Sequence, residues 1–167
     1  MKTTHNNLKQ GFTVAELLIA LAVSAMLLTA LAVAFNASVI NYQQNEQLFR
    51  ITNSARHALY KMTTQLRNAR AVEPNLSTNE CSFIAFDWTD YTYKYNSTNK
   101  KLYLVTNGTL TDPDYVLCEN ISAMTFSKYL DPIDPNIVKS VLISMTVEYK
   151  TAHKTLSAAA VVRKNLQ

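Results

Sequence analysis

The chain has 167 residues, 48% of them hydrophobic and 17% charged, with a formal net charge of +4. That length suits about one folded domain, and the composition excludes a disordered chain. Lys2 and Lys9 supply part of the charge; without the first eleven residues, 14 basic residues face 12 acidic ones, a balance that demands no nucleic-acid partner.

Residues 1–11, MKTTHNNLKQG, are polar and mildly basic and stop abruptly at Gly11. From Phe12 to Phe35 runs an apolar stretch of 24 residues that carries one charge, Glu16. This is close to the ~20 residues a helix needs to cross a bilayer, and the basic residues before it predict a cytoplasmic N-terminus and an exported C-terminal part. No Pro or Gly occurs between Phe12 and Glu73, so the helix should continue past Phe35. There the apolar positions thin to a stripe, Leu48, Ile51, Ala55, Leu59, Met62, Leu66 and Ala69, at spacings of three and four. Arg50, Asn53, Arg56, Lys61, Gln65 and Arg67 occupy the other side. Pro74 disfavours helical geometry in the residue before it, which predicts an end near Val72. The result is one helix of about 60 residues, roughly 90 Å at 1.5 Å per residue.

Beyond Pro74 the period changes from 3.6 to 2. Aromatic and β-branched runs at 81–88, 91–95 and 101–106, then YVLC, 121–130, 138–150 and 155–163, read as antiparallel strands. Turns are expected at Asn96–Asn99, at Asn107-Gly108, in the loop with Asp112, Pro113 and Asp114, at Asp131–Asn136 and near Thr151–Lys154. A sheet of four to six strands must cover its apolar face, and the second half of the long helix is the one amphipathic element at hand.

Glu16 is the chemical anomaly. A carboxylate at mid-bilayer costs about 2.5–3.5 kcal/mol on insertion scales, less near the interface, so a plain anchor would be better without it. A partner cation is implied. Phe12 to Phe35 contains no Lys, Arg or His, which leaves another protein or a newly created α-amino group as the source. Cys81 and Cys118 fit neither a zinc pattern nor a C-x-x-C redox pattern; a single disulfide in an oxidising compartment is the favoured reading, two buried free thiols the other.

Other candidates carry less. His5, His57 and His153 fall at no metal-ligand spacing. Asp112 with Asp114 and Asp131 with Asp134 could offer oxygen ligands to calcium, though turn formation is the commoner task of such residues. Tyr91, Tyr93 and Tyr95 share a sheet face, as a partner surface or as strand packing. Asn96-Ser-Thr98 and Asn107-Gly-Thr109 match a glycosylation sequon in a chain rich in Asn and Thr. No nucleophile elbow, P-loop or acid–base pair is present, so neither an enzyme nor a cofactor is expected.

KQGFTVAELLIALAVSAMLL resembles the processing site of type IV prepilins and type II secretion pseudopilins. The resemblance implies that a prepilin peptidase cuts after Gly11, that Phe12 becomes the methylated first residue, and that Glu16 neutralises the amino group of Phe12 on an adjacent subunit. A second likeness covers VLCENISAMTFSKYLDP, VKSVLISMTVEYK and AAAVVRKN, which look like the J-type minor pseudopilins and the PilW-like minor pilins, as does the lack of a proline at Val33. The implied fold is α+β and pilin-like: leader 1–11, transmembrane and assembly helix 12–35, amphipathic continuation 36–72, and antiparallel sheet 73–167. The implied role is a minor pilin or pseudopilin that primes or caps a filament, held in the inner membrane with its C-terminal domain periplasmic. Its partners would be other minor and major pilins or pseudopilins, the peptidase and an inner-membrane assembly platform. The rival reading of the same segment is an uncleaved signal anchor carrying a periplasmic binding or sensor module.

Overall fold

The computed structural model describes residues 11–75, 77–108 and 115–165. The long uninterrupted run of helix-permissive residues forms one helix, α1 (Val14–Arg67). By contacts the chain divides into two units at Gln43/Gln44. In the first, every described residue from Gly11 to Gln43 is exposed. The second unit holds a closed core.

Helix α1 stops at Arg67, five residues short of the expected Val72. The amides of Asn68 and Ala69 still bond back to Gln65 O and Leu66 O, both at 3.2 Å. After that the chain changes partner: Arg70 N donates to Ile84 O at 2.8 Å and Glu73 N to Ser82 O at 3.0 Å, drawing β1 (Ala71–Val72) onto the edge of β2 (Glu80–Ile84). Pro74 restrains only its neighbour, so it set an outer limit and the strand decided where the helix ends.

Strands β3 (Asp90–Asn96), β4 (Lys101–Thr106) and β5 (Tyr115–Cys118) complete a five-stranded antiparallel sheet in the order β1-β2-β3-β4-β5. A second, three-stranded sheet follows, β6 (Ile121–Leu130), β7 (Val138–Tyr149) and β8 (Ala152–Val161), before a 3-10 turn over Arg163–Asn165. The single sheet expected from the sequence is thus two. The chain switches between them at Asn120, whose φ of 60° an Asn tolerates well, with Ile121 N bonding Lys100 O and Glu148 N bonding Asn120 O, each at 3.0 Å.

Alternation puts Cys81, Phe83, Tyr93, Tyr95, Leu102 and Cys118 inward from the first sheet. In the second the inward parity changes along the strands. On β6 it passes from Ile121 to Met124 and Phe126 across the irregularity between Ile121 and Ala123; on β7 it passes from Val138 to Val141, Ile143, Met145 and Val147, where Leu130 faces Val138 but Tyr129 faces Ser140. One extra residue at each bulge flips the side chains that follow, which keeps both ends of long strands on the core.

Ala55, Ala58, Leu59, Met62 and Leu66 from α1 belong to the same buried cluster as the inward faces of both sheets. Phe83, Tyr93 and Phe126 stack through its centre, with ring centroids 5.1 and 6.4 Å apart. The Tyr93 hydroxyl donates to Gln65 Oε1 on the helix; burial pushes its pKa up, so the proton stays in place for that bond. Tyr95 donates to Ile121 O at 3.0 Å and so fastens the first sheet to the start of the second.

Candidate functional site

The apolar helix begins with a reciprocal cap. Leu17 N donates to Thr13 O at 3.2 Å, the first turn of the helix, which makes Thr13 the N-cap residue and Glu16 the third helical position. Glu16 N donates to Thr13 Oγ1 at 3.3 Å, while Glu16 Oε2 accepts from Thr13 N at 2.9 Å and from the Thr13 hydroxyl at 3.0 Å. This is a capping box, and it satisfies backbone amides that would otherwise have no partner at the helix start. The negative side chain also lies at the positive end of the helix dipole.

The cap revises the account of Glu16. Its carboxylate finds two donors within its own chain, both on Thr13, a residue to which the sequence reading gave no role. The signal was there, since Thr-Val-Ala-Glu is the T-x-x-E pattern immediately before an apolar run. Both donors are neutral and both go to Oε2, so no counter-ion meets the charge among the described residues and Oε1 takes no bond there.

Gly11, Phe12 and Thr13 precede the helix in an irregular, exposed stretch, with Phe12 87% exposed. A Cβ added to Gly11 would meet nothing within 4 Å, so packing within the chain does not require glycine there. A cut between Gly11 and Phe12 leaves the Thr13 amide intact as a donor, and the cap survives it.

Along the helix the hydroxyls inside the apolar run bond back to carbonyls: Ser24 to Ala20 O at 2.7 Å, Thr29 to Met26 O at 2.7 Å, Ser38 to Ala34 O at 3.0 Å. Their polarity is absorbed by the helix itself. Leu17, Leu18, Leu21, Leu28, Leu31 and Phe35 are between 59 and 73% exposed. By length and composition α1 can cross a membrane.

Residues 6–32 match the family described as the prokaryotic N-terminal methylation motif. The matched span contains Gly11, Phe12, Thr13, Glu16 and most of the apolar run. It supports a precursor of the type IV prepilin-like class, whose members are structural subunits. No curated protein matches the chain.

The remaining sequence candidates separate. Cys81 and Cys118 are free, buried thiols on β2 and β5. Two strands lie between them, so at about 4.8 Å per strand their backbones are roughly 14 Å apart, twice the reach of a disulfide. The bridge favoured by the sequence does not form, and the two-thiol alternative describes the fold. Asp131 Oδ2 pairs with Lys139 Nζ at 2.8 Å and Asp131 Oδ1 accepts from Ile133 N at 2.8 Å; Asp134 Oδ1 accepts from Asn136 N at 2.9 Å. Both are turn-forming residues here, and among the described residues no three His, Cys, Asp or Glu gather around one point. His153 lies in β8, 3.6 Å from Glu148, not in a turn, and His57 stays on the exposed side of α1. Tyr93 and Tyr95 are core residues and Tyr91 packs against them, which makes the alternating tyrosines strand packing. Asn96 closes the β3–β4 turn by accepting from Thr98 N at 2.9 Å. Leader residues 1–10 with His5, Thr109 of the second sequon, and Asp112 and Asp114 lie outside the described residues.

Proposed function

We propose that this chain is a minor pilin or pseudopilin, cut by a prepilin peptidase after Gly11 and methylated on Phe12, which primes or caps a type IV pilus or a type II secretion pseudopilus. The observation that carries the reading is the match of residues 6–32 to the methylation motif, with a Gly-Phe junction exposed four residues before Glu16. The bare apolar surface of Gly11–Gln43 supports it, because a segment with no buried residue of its own suits a lipid environment first and neighbouring helices later. The β-rich second unit and a helix unbroken by proline suit a minor subunit.

The cap is compatible with a second task for Glu16. One carboxylate oxygen holds Thr13 and starts the helix; the other, which takes no bond among the described residues, would receive the ammonium of Phe12 on a neighbouring subunit. A charge otherwise expensive in lipid then selects the axial register of the incoming helix. Partners are other pilins or pseudopilins and the inner-membrane assembly platform, with the second unit on the periplasmic side.

Glu16→Val in a strain that assembles the filament tests this. The variant is expected to be inserted and processed, its mass starting at methylated Phe12, yet to fall at least tenfold in the sheared filament fraction. Normal incorporation of Glu16→Val removes the pairing role, and a native polypeptide retaining residues 1–11 removes the filament reading in favour of an anchored periplasmic module.

A further inference from the structure

An open pocket of about 500 Å³ lies where the end of α1 meets the β2–β3 turn and the C-terminal 3-10 turn. Arg67, Arg70, Arg163 and Lys164 line it together with Phe86, and among the described residues no carboxylate does. Among the described residues none of these cations takes part in an ion pair. Four like charges gathered with no counter-charge among the described residues repel one another, and an anion placed among them relieves that repulsion. Three are guanidinium groups, whose planar fork matches phosphate or carboxylate oxygens in pairs.

The aromatic residues narrow the choice. Arg70 donates from Nε to Phe86 O at 2.9 Å, and its guanidinium carbon stands 5.0 Å from the Phe86 ring centroid and 4.1 Å from that of Trp88. Both rings remain largely exposed, 74 and 69%. Trp88 sits at φ 70° in a tight turn closed by Trp88 N to Ala85 O at 3.1 Å, a left-handed position that ordinarily falls to Gly or Asn and strains a bulky residue. A strained turn that presents a large flat ring beside Arg70, at the edge of a cationic pocket, is suited to a ligand with both a negative charge and a planar face. An acidic polypeptide would meet the cations and leave the rings bare; a phospholipid headgroup would do the same.

We propose that this pocket binds single-stranded nucleic acid, with phosphates on Arg67, Arg163 and Lys164 and a base stacked on the rings of the Phe86–Trp88 turn. The site does not depend on the filament reading, which its failure would leave standing. The sequence balance hid it, since the mature chain is nearly neutral and the cations come from two places almost a hundred residues apart.

The test uses the full chain in micelles of a neutral detergent, with a fluorescein-labelled octathymidylate followed by anisotropy and by quenching of Trp88, the only tryptophan. Saturable binding is expected at 50 mM salt, weakening about 20-fold by 200 mM, as three neutralised phosphates give a logarithmic slope of about −2 for single strands. Trp88→Gly keeps the fold, because glycine adopts this φ freely, and lowers affinity roughly tenfold. Arg67→Gln with Arg163→Gln flattens the salt slope by about 1.4. The proposal is overturned if the oligonucleotide does not bind at 50 mM salt, or if Trp88→Gly binds as tightly as the parent. It is equally overturned if polyglutamate of equal charge competes as well, which would point to an acidic protein, or if thymidine monophosphate does, which would mean a single-nucleotide site.

Discussion

Leu27 and Leu66 lie on the same helix, one 60% exposed and the other fully buried. Around Leu27 the chain is apolar on all sides and buries none of it; around Leu66 it is apolar on one side and buries all of that side under two sheets. The first stretch carries more hydrophobic surface than its own fold can cover, so its energetics are settled by lipid or by other chains. The second is settled within the molecule. A substitution should therefore be felt in different experiments depending on which side of Gln43 it falls.

The largest contrast comes from truncating one buried and one bare side chain. Met62→Ala opens a cavity beneath both sheets and should lower unfolding free energy by about 2–5 kcal/mol. Leu27→Ala should change the same denaturation curve, recorded on the second unit by tyrosine signals in detergent, by less than about 0.5 kcal/mol. Its effect belongs instead in filament yield. Comparable destabilisation by the two would mean that the division of labour along α1 is wrong.

Cys81 sharpens the comparison from inside the core. Burial pushes its thiol from 9.0 up to about 12, while unfolding returns it to the ordinary value. The unfolded chain thus releases a proton above pH 9 that the folded chain retains. Stability from this group is complete below pH 9 and is lost as pH rises toward 12, at up to about 1.4 kcal/mol per pH unit. Cys81→Ala should flatten that alkaline slope. Without any reductant, an aromatic disulfide reagent at pH 8 should find almost no reactive thiol in the native protein and both Cys81 and Cys118 in denaturant; none in denaturant would restore the bridge.

The sequence made the strands legible because antiparallel strands with one covered face alternate, as Glu80–Ile84 does and β7 does from Val141 to Glu148. It could not show that there are two sheets, since that depends on a single left-handed Asn120 and on which edge the chain leaves. Nor could it place the helix end: Ala71–Val72 is too short to have a period, and its partner is only fixed once β2 exists. Cysteine number and compartment favour a pair, whereas the separation of Cys81 and Cys118 is set by the strand order. At the N-terminus the methylation motif was legible because its signal is contiguous in the sequence, within residues 6–32. The Thr13 donors are equally local, three residues from Glu16 in a T-x-x-E pattern.

The smallest effect separates the observed cap at Glu16 from its proposed pairing role. Thr13→Val removes the hydroxyl that both accepts from Glu16 N and donates to Glu16 Oε2, leaving the backbone amide as the only donor among the described residues. Loss of an N-cap costs about 1 kcal/mol, so amide exchange over Val14–Leu17 should quicken roughly fivefold, and Thr13→Ser should restore it. Glu16→Gln keeps an acceptor oxygen for the cap and discards the charge. Exchange in the first turn should then change by no more than about twofold, a few tenths of a kcal/mol, while incorporation into the filament falls as it does for Glu16→Val. If Glu16→Gln instead frays the helix start as Thr13→Val does and assembles normally, the carboxylate serves the cap alone, and the bare half of α1 must find its register by apolar packing.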